Sequence, residues 1–293
     1  VYVSGCRGSS PTNTHKVCIN LAGGYRNGME FILTGIDIEA KAQIITEALF
    51  NSVGGKEQFD EVSILLDRTD KKDPNSNEEA MASLRISVKS KDPDLVGRMF
   101  TAKMIELALA NYPGFFTGGG VRSGGPVLVY WPALIDSKHI EETVHIDGKE
   151  INVKPTNQLD LEETYYQKQP IEIPPPPSGE TLNMPLGELF GARSGDKGGC
   201  ANIGVWAKSE NAFSFLNNFL TVKKIKELMP DISEFEIDRY ELPNILSLNF
   251  YIHDILEDGV SSNTRKDGQA KSLGEYLRAK YADIPKSLFE ENI

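Results

Sequence analysis

Ile171-Glu172-Ile173-Pro174-Pro175-Pro176-Pro177-Ser178-Gly179 is the stretch on which the architecture turns. Four consecutive prolines supply no backbone N–H and hold φ near that of polyproline II, so they enter neither a helix nor a central strand and act as a stiff spacer. The reading predicts a linker over 171–181 that separates residues 1–170 from residues 182–293. A chain of 293 residues has material for two cores, and two domains are expected.

Working outward from the linker, the first half reads β-α-β-β-α. Glu30 to Thr34 is strand-like, and Ile38, Ala42, Ile45, Leu49 and Val53 recur at helical spacing before Gly54-Gly55. Glu61 to Leu66 and Ala82 to Val88 read as strands, Asp94 to Asn111 as an amphipathic helix, and Pro126 to Trp131 as a closing strand. Thr143 to Val153 reads as a hairpin turning at Asp147-Gly148. After the linker the same order recurs: a strand at Leu186 to Leu189, a Gly-rich loop, a strand at Ile203 to Ala207 and a helix from Ala212 to Met229. Strands at Phe235 to Tyr240 and Ser247 to Ile252 and a helix at Leu273 to Tyr281 complete it. The expected fold class is α+β, two ferredoxin-like sheet domains with helices on one face.

Composition narrows the function. A net charge of -11 and a pI near 5.0 repel a polyphosphate backbone, and no basic stripe offsets this, so nucleic acid is not an expected partner. No stretch approaches the roughly 18 to 20 apolar residues needed to span a bilayer, so no membrane association is expected. Cys6, Cys18 and Cys200 match no zinc or redox spacing, which points to reduced thiols in the cytoplasm. His15, His139, His145 and His253 are scattered without ligand spacing; no metal and no cofactor are predicted. The chain opens without Met in an alternating segment. An N-terminal portion is therefore expected to be missing, and the expected macromolecular partner is that portion or a second copy of the chain.

Three segments combine glycine, arginine and small hydroxyl residues: Ser4 to Thr12, with Arg7, Gly8 and Ser9; Gly118 to Gly125, with Arg122 and Ser123; and Gly191-Ala192-Arg193-Ser194-Gly195-Asp196-Lys197-Gly198-Gly199. Glycine lets successive N–H groups converge on an anion, and Arg offers a planar fork matched to carboxylate or phosphate. The competing interpretation is that these are tight turns whose arginines pair with the chain's many carboxylates. No Walker loop and no dinucleotide glycine pattern occurs. In the third segment Asp196 and Lys197 put a carboxylate and an ammonium side by side, followed by Cys200 and Asn202; an acid/base role stands against an Arg193–Asp196 bridge that merely shapes the turn. Cys6 and Cys200 lie near cations, which suits a nucleophilic thiol, whereas buried cysteines are commonly inert. Asn20 to Arg26 reads as one more Gly/Arg turn.

At these residues the sequence resembles the AtuA-like acyclic terpene utilisation family, in which a long domain precedes a smaller ferredoxin-fold domain. The resemblance is carried by Ser4 to Thr12 with Lys16, by Gly191 to Gly204, and by Lys271 to Arg278 with Asp283-Ile284-Pro285. It implies a catabolic role acting on an acyl-CoA or branched carboxylate.

Two functions compete. In one, the chain is an enzyme in which Arg7, Arg122, Arg193 and Lys197 hold the anionic groups of an acyl-CoA-like substrate. Gly8, Ser9, Ser123, Ser194, Gly195, Gly198, Gly199 and Asn202 complete that substrate site, and Asp196, Lys197 and Cys200 carry the chemistry. In the other, the same loops make a non-catalytic ligand-binding or assembly protein of the same pathway.

Overall fold

The computed structural model describes residues 12–107, 112–120, 122–153 and 172–290. They form a mixed α/β protein whose chain divides into two compact units. One unit comprises Leu21–Val129 with Val260–Gly268; the other holds the remaining described residues. Arg7, Gly8 and Ser9, with Cys6, lie outside the described residues.

The first unit is built on β1 (Thr14–Thr34) from Leu21 onward, α1 (Ile38–Ser52), β2 (Glu61–Asp67), β3 (Met81–Ser90), α2 (Pro93–Val96), α3 (Arg98–Leu107), β4 (Phe116–Thr117) and β5 (Gly125–Asp136) as far as Val129. Its sheet runs β2-β3-β1-β4, with β5 also paired to β1. Strand alternation sends Phe31, Leu33, Leu84, Ile86 and Val88 into the core, where Ile45 and Leu49 of α1 and Phe100 and Met104 of α3 meet them. The helix expected over 94–111 is broken at Gly97, and Asn20 to Arg26 is not a turn but the middle of β1. Its glycines serve close packing: a Cβ at Gly23 would stand 2.9 Å from Val129 Cγ2, and one at Gly24 would stand 2.8 Å from the Ser90 carbonyl oxygen.

The second unit contains β6 (Glu142–Ile146), β7 (Lys149–Val153), β8 (Thr181–Pro185), β9 (Gly191–Lys197), β10 (Cys200–Trp206), α4 (Glu210–Phe219) and α5 (Val222–Leu228). These are followed by β11 (Ile237–Leu242), β12 (Ser247–Ile252), α6 (Leu273–Arg278), β13 (Tyr281–Pro285) and α7 (Ser287–Glu290). The β6–β7 hairpin turns at Asp147 (φ 47) and Gly148 (φ 72), the two positive values a type I′ turn requires. The single helix expected over 212–229 is two, because the Thr221 hydroxyl accepts the Lys224 N–H and starts α5 afresh.

The main sheet of this unit runs β11-β12-β10-β9, all antiparallel. One face carries Ala201, Ile203, Val205, Leu248, Phe250 and Ile252 into a core shared with Phe213, Leu216, Ile225, Leu273 and Leu277. Two expectations fail here. Leu186–Glu188 is a 3-10 turn rather than a strand, and the supposed Gly-rich loop is itself β9, the edge strand. Seven residues of β9 pair in unbroken register with β10, from Lys197 opposite Cys200 to Gly191 opposite Trp206. The ladder satisfies backbone groups that a loop would leave to water, and the Trp206 ring covers Gly191, where a Cβ would meet it at 2.2 Å. The turn between the strands is Gly198-Gly199, with positive φ (68°) at Gly198 alone, as in a type II′ hairpin. Among the described residues, no helix is long and apolar enough to cross a membrane.

Candidate functional site

Period-two alternation places the side chains of β9, β10, β11 and β12 on either the core face or the opposite face. The registers put Lys197, Gly195 and Arg193 of β9 beside Cys200, Asn202 and Gly204 of β10 on that opposite face. Tyr251 and Asn249 of β12 follow, and then Asp238 and Tyr240 of β11. One rung thus runs Gly195, Asn202, Tyr251, Asp238, and the next runs Arg193, Gly204, Asn249, Tyr240. A rung beyond the strand ends brings Lys197 and Cys200 into line with His253 and Glu236, since the His253 N–H donates to the Glu236 carbonyl at 3.0 Å. A whole sheet face is therefore surfaced with groups able to bind or react, mostly half-buried or exposed.

The two ends of this face differ in charge. At β9, Arg193 and Lys197 flank Gly195, which offers no side chain, and Asn202 stands opposite Gly195. Among the described residues Arg193 has no acidic partner, and the Lys197 ammonium donates only to the Asp196 carbonyl, at 3.0 Å. At β11, Glu236, Asp238 and His253 bring their ligand atoms within 4.8 Å of one another. His253 Nε2 lies 2.9 Å from Asp238 Oδ2, and this hydrogen bond holds the imidazole above its ordinary value. The Asn202 amide donates to Asn249 Oδ1 at 3.0 Å. Between the ends, Cys200 Sγ accepts the Asp254 N–H at 3.5 Å. Tyr251, hydrogen-bonded to Cys200 and partly buried, is pushed up to about 12.

The site residues expected from sequence are brought together only in part. Arg193, Gly195, Lys197, Cys200 and Asn202 share this face, and Gly198 and Gly199 form the turn at its end. Ser194 and Asp196 point to the other face. There the Ser194 hydroxyl accepts the Gly274 N–H at 2.9 Å, and Asp196 meets Lys271 at 3.4 Å. Asp196 and Lys197 are therefore not a side-by-side acid/base pair, because neighbours on a strand face opposite ways. The alternative, an Arg193–Asp196 bridge shaping the turn, fails for the same reason; Lys271 is the partner of Asp196 instead. Arg122 and Ser123 belong to the other compact unit, where the Arg122 carbonyl accepts from the buried Asn27 amide at 2.9 Å.

Tyr251, His253, Asp238 and Glu236 were missed by sequence reasoning. The signal was present as two adjacent strand-like segments whose alternate residues are all polar, but it becomes a site only once their register is known.

Fold and site together define a mixed α/β protein with a sheet face that is cationic at one edge and acidic at the other. The chain belongs to the AtuA family: residues 1–146 match the family described as acyclic terpene utilisation family protein AtuA, and residues 184–282 match the AtuA ferredoxin-like domain. Membership implies a role in acyclic terpene utilisation. No curated protein and no solved structure matches the chain.

Proposed function

We propose that the chain is a cytoplasmic catabolic enzyme, or a component of one, that binds the carboxylate or phosphate group of a branched acid or its CoA thioester on the β9 end of this sheet face. We read it as two ferredoxin-like domains joined by the proline run at 171–181, with the ligand on the second. The observation that carries the reading is the placement of Arg193 and Lys197 two residues either side of Gly195, with the Asn202 amide opposite that glycine. An anion set over this glycine, where a Cβ would stand 3.1 Å from the Lys271 ammonium, lies among three cations, of which Arg193 and Lys197 have no acidic partner among the described residues, and beside an amide donor. A carbonyl carried by the same ligand then extends along the rungs toward Cys200 and Tyr251, where the thiol is the nucleophile and the neutral tyrosine hydroxyl a proton donor.

Replacing Arg193 by Ala removes a charge-assisted contact worth about 1.5 to 3 kcal/mol, or roughly 10- to 150-fold in affinity. Calorimetric titration of wild type and Arg193→Ala with a branched-acyl CoA thioester, the free branched acid and inorganic phosphate checks this. Unchanged affinity in a folded variant overturns the reading, and the order of the three ligands identifies the group recognised.

A further inference from the structure

We propose that Glu236, Asp238 and His253 form a binding site for a divalent first-row metal ion, with Zn2+ or Mn2+ as its occupant. The site is made by strand pairing. Ile237 lies opposite Ile252 and both are core residues, so the flanking Glu236, Asp238 and His253 all project from the other face. The backbone bond from the His253 N–H to the Glu236 carbonyl locks the histidine directly across from the glutamate. Asp238 sits one rung further along the same strand. The result is three ligand atoms within 4.8 Å of one another, drawn from β11, from the residue just before it and from the residue just after β12.

The donor chemistry fits a transition-series cation. Two carboxylate oxygens and one imidazole nitrogen form a mixed set; oxygen alone favours Mg2+ or Ca2+, while imidazole brings in zinc, manganese and iron. Three protein ligands leave coordination positions for water or a substrate oxygen, as in catalytic metal sites. Neighbouring groups orient the ligands. The Tyr251 ring packs edge-on against the imidazole with centroids 4.9 Å apart, and the Tyr240 hydroxyl reaches Asp238 Oδ2 at 3.4 Å. Among the described residues neither Glu236 nor Asp238 has a lysine or arginine partner, although many other carboxylates do, Asp136, Asp196 and Glu227 among them. A cation between the two acids supplies the missing charge. The His253–Asp238 hydrogen bond is then the metal-free arrangement, which opens as the metal takes the imidazole nitrogen.

The inference stands apart from the anion-binding reading and is tested apart from it. The full chain, stripped with EDTA and dialysed, is titrated calorimetrically with ZnCl2 and, separately, MnCl2, alongside Asp238→Asn, His253→Asn, His145→Asn and Arg193→Ala. Wild type, His145→Asn and Arg193→Ala are expected to bind one ion per chain alike. Asp238→Asn and His253→Asn are expected to weaken binding by about 100-fold or more, since loss of a ligand costs at least as much as loss of its supporting partner. Metal should also raise the melting temperature of wild type and leave that of Asp238→Asn unchanged. Binding that survives in Asp238→Asn, or that disappears in His145→Asn, overturns the proposal. So does failure of the wild-type chain to bind either ion at millimolar concentration.

Discussion

The Gly274 N–H donates to the Ser194 hydroxyl at 2.9 Å across a buried contact, tying the first turn of α6 to strand β9. Gly274 comes so close to this strand that a Cβ there would stand 3.2 Å from the Arg193 backbone. Arg193 and Ser194 are neighbours in sequence with separate tasks: one presents its charge on the polar face, the other anchors the strand that presents it. Ser194→Ala leaves a buried N–H without its acceptor, a loss of about 1 to 2 kcal/mol. The variant should melt several degrees lower in a calorimetric scan while its affinity for an anionic ligand stays at the wild-type value; weaker binding without any loss of stability contradicts this division of labour.

Arg193→Lys separates charge from geometry. Lysine keeps the positive charge but not the planar fork that engages both oxygens of a carboxylate. Affinity measured by titration calorimetry should fall between those of wild type and Arg193→Ala, and the fold should be unaffected, because Arg193 is exposed on an edge strand. An affinity equal to that of wild type argues for simple charge attraction.

Gly199 and Gly204 lie in the same hairpin but differ in what surrounds them. A Cβ at Gly199 would stand 2.1 Å from the Glu257 carbonyl oxygen, a backbone atom that cannot swing aside, and the Gly199 carbonyl accepts the Leu256 N–H at 2.8 Å. Gly199→Ala is expected to destabilise by about 1 to 3 kcal/mol. At Gly204 the nearest atom is the Arg193 carbonyl oxygen at 3.7 Å, an ordinary contact. Urea unfolding should therefore show a large shift for Gly199→Ala and little for Gly204→Ala.

His253 titrates above the ordinary histidine value of 6.5, chiefly because its ring hydrogen-bonds Asp238, with Asp238, Glu236 and Asp254 adding favourable charge. A raised value means the paired, protonated form stabilises the fold fully below pH 6.5 and loses that contribution as pH rises through the folded-state value. The effect on stability is small because the pair is solvent-exposed. In the metal-stripped chain, NMR titration of the His253 ring should give a midpoint above 6.5, and Asp238→Asn should bring it down. A midpoint at or below 6.5 in the wild-type chain refutes the pairing.

Local pattern was enough for the elements whose signal is local. The helix at Ile38–Ser52 follows from Ile38, Ala42, Ile45 and Leu49 recurring on one face, and the β6–β7 hairpin from Asp147-Gly148, residues that tolerate the positive φ of a tight turn. The core strands at Glu61–Asp67, Met81–Ser90 and Ser247–Ile252 were legible from β-branched and apolar alternation. The family resemblance was legible too, because Gly191 to Gly204 is long and specific enough to carry it.

Tertiary structure alone decided what that segment is. Gly191-Ala192-Arg193-Ser194-Gly195-Asp196-Lys197 has the composition of a loop, with low intrinsic strand preference, and becomes an edge strand because β10 offers a complete ladder of partners. Once it is a strand, alternation divides Arg193, Gly195 and Lys197 from Ser194 and Asp196, which sequence adjacency had grouped together. The same holds for Glu236, Asp238 and His253. Up to seventeen residues separate them along the chain, so no spacing rule finds them; antiparallel pairing of β11 with β12 places them on one face, because register is a property of two strands and is written in neither alone.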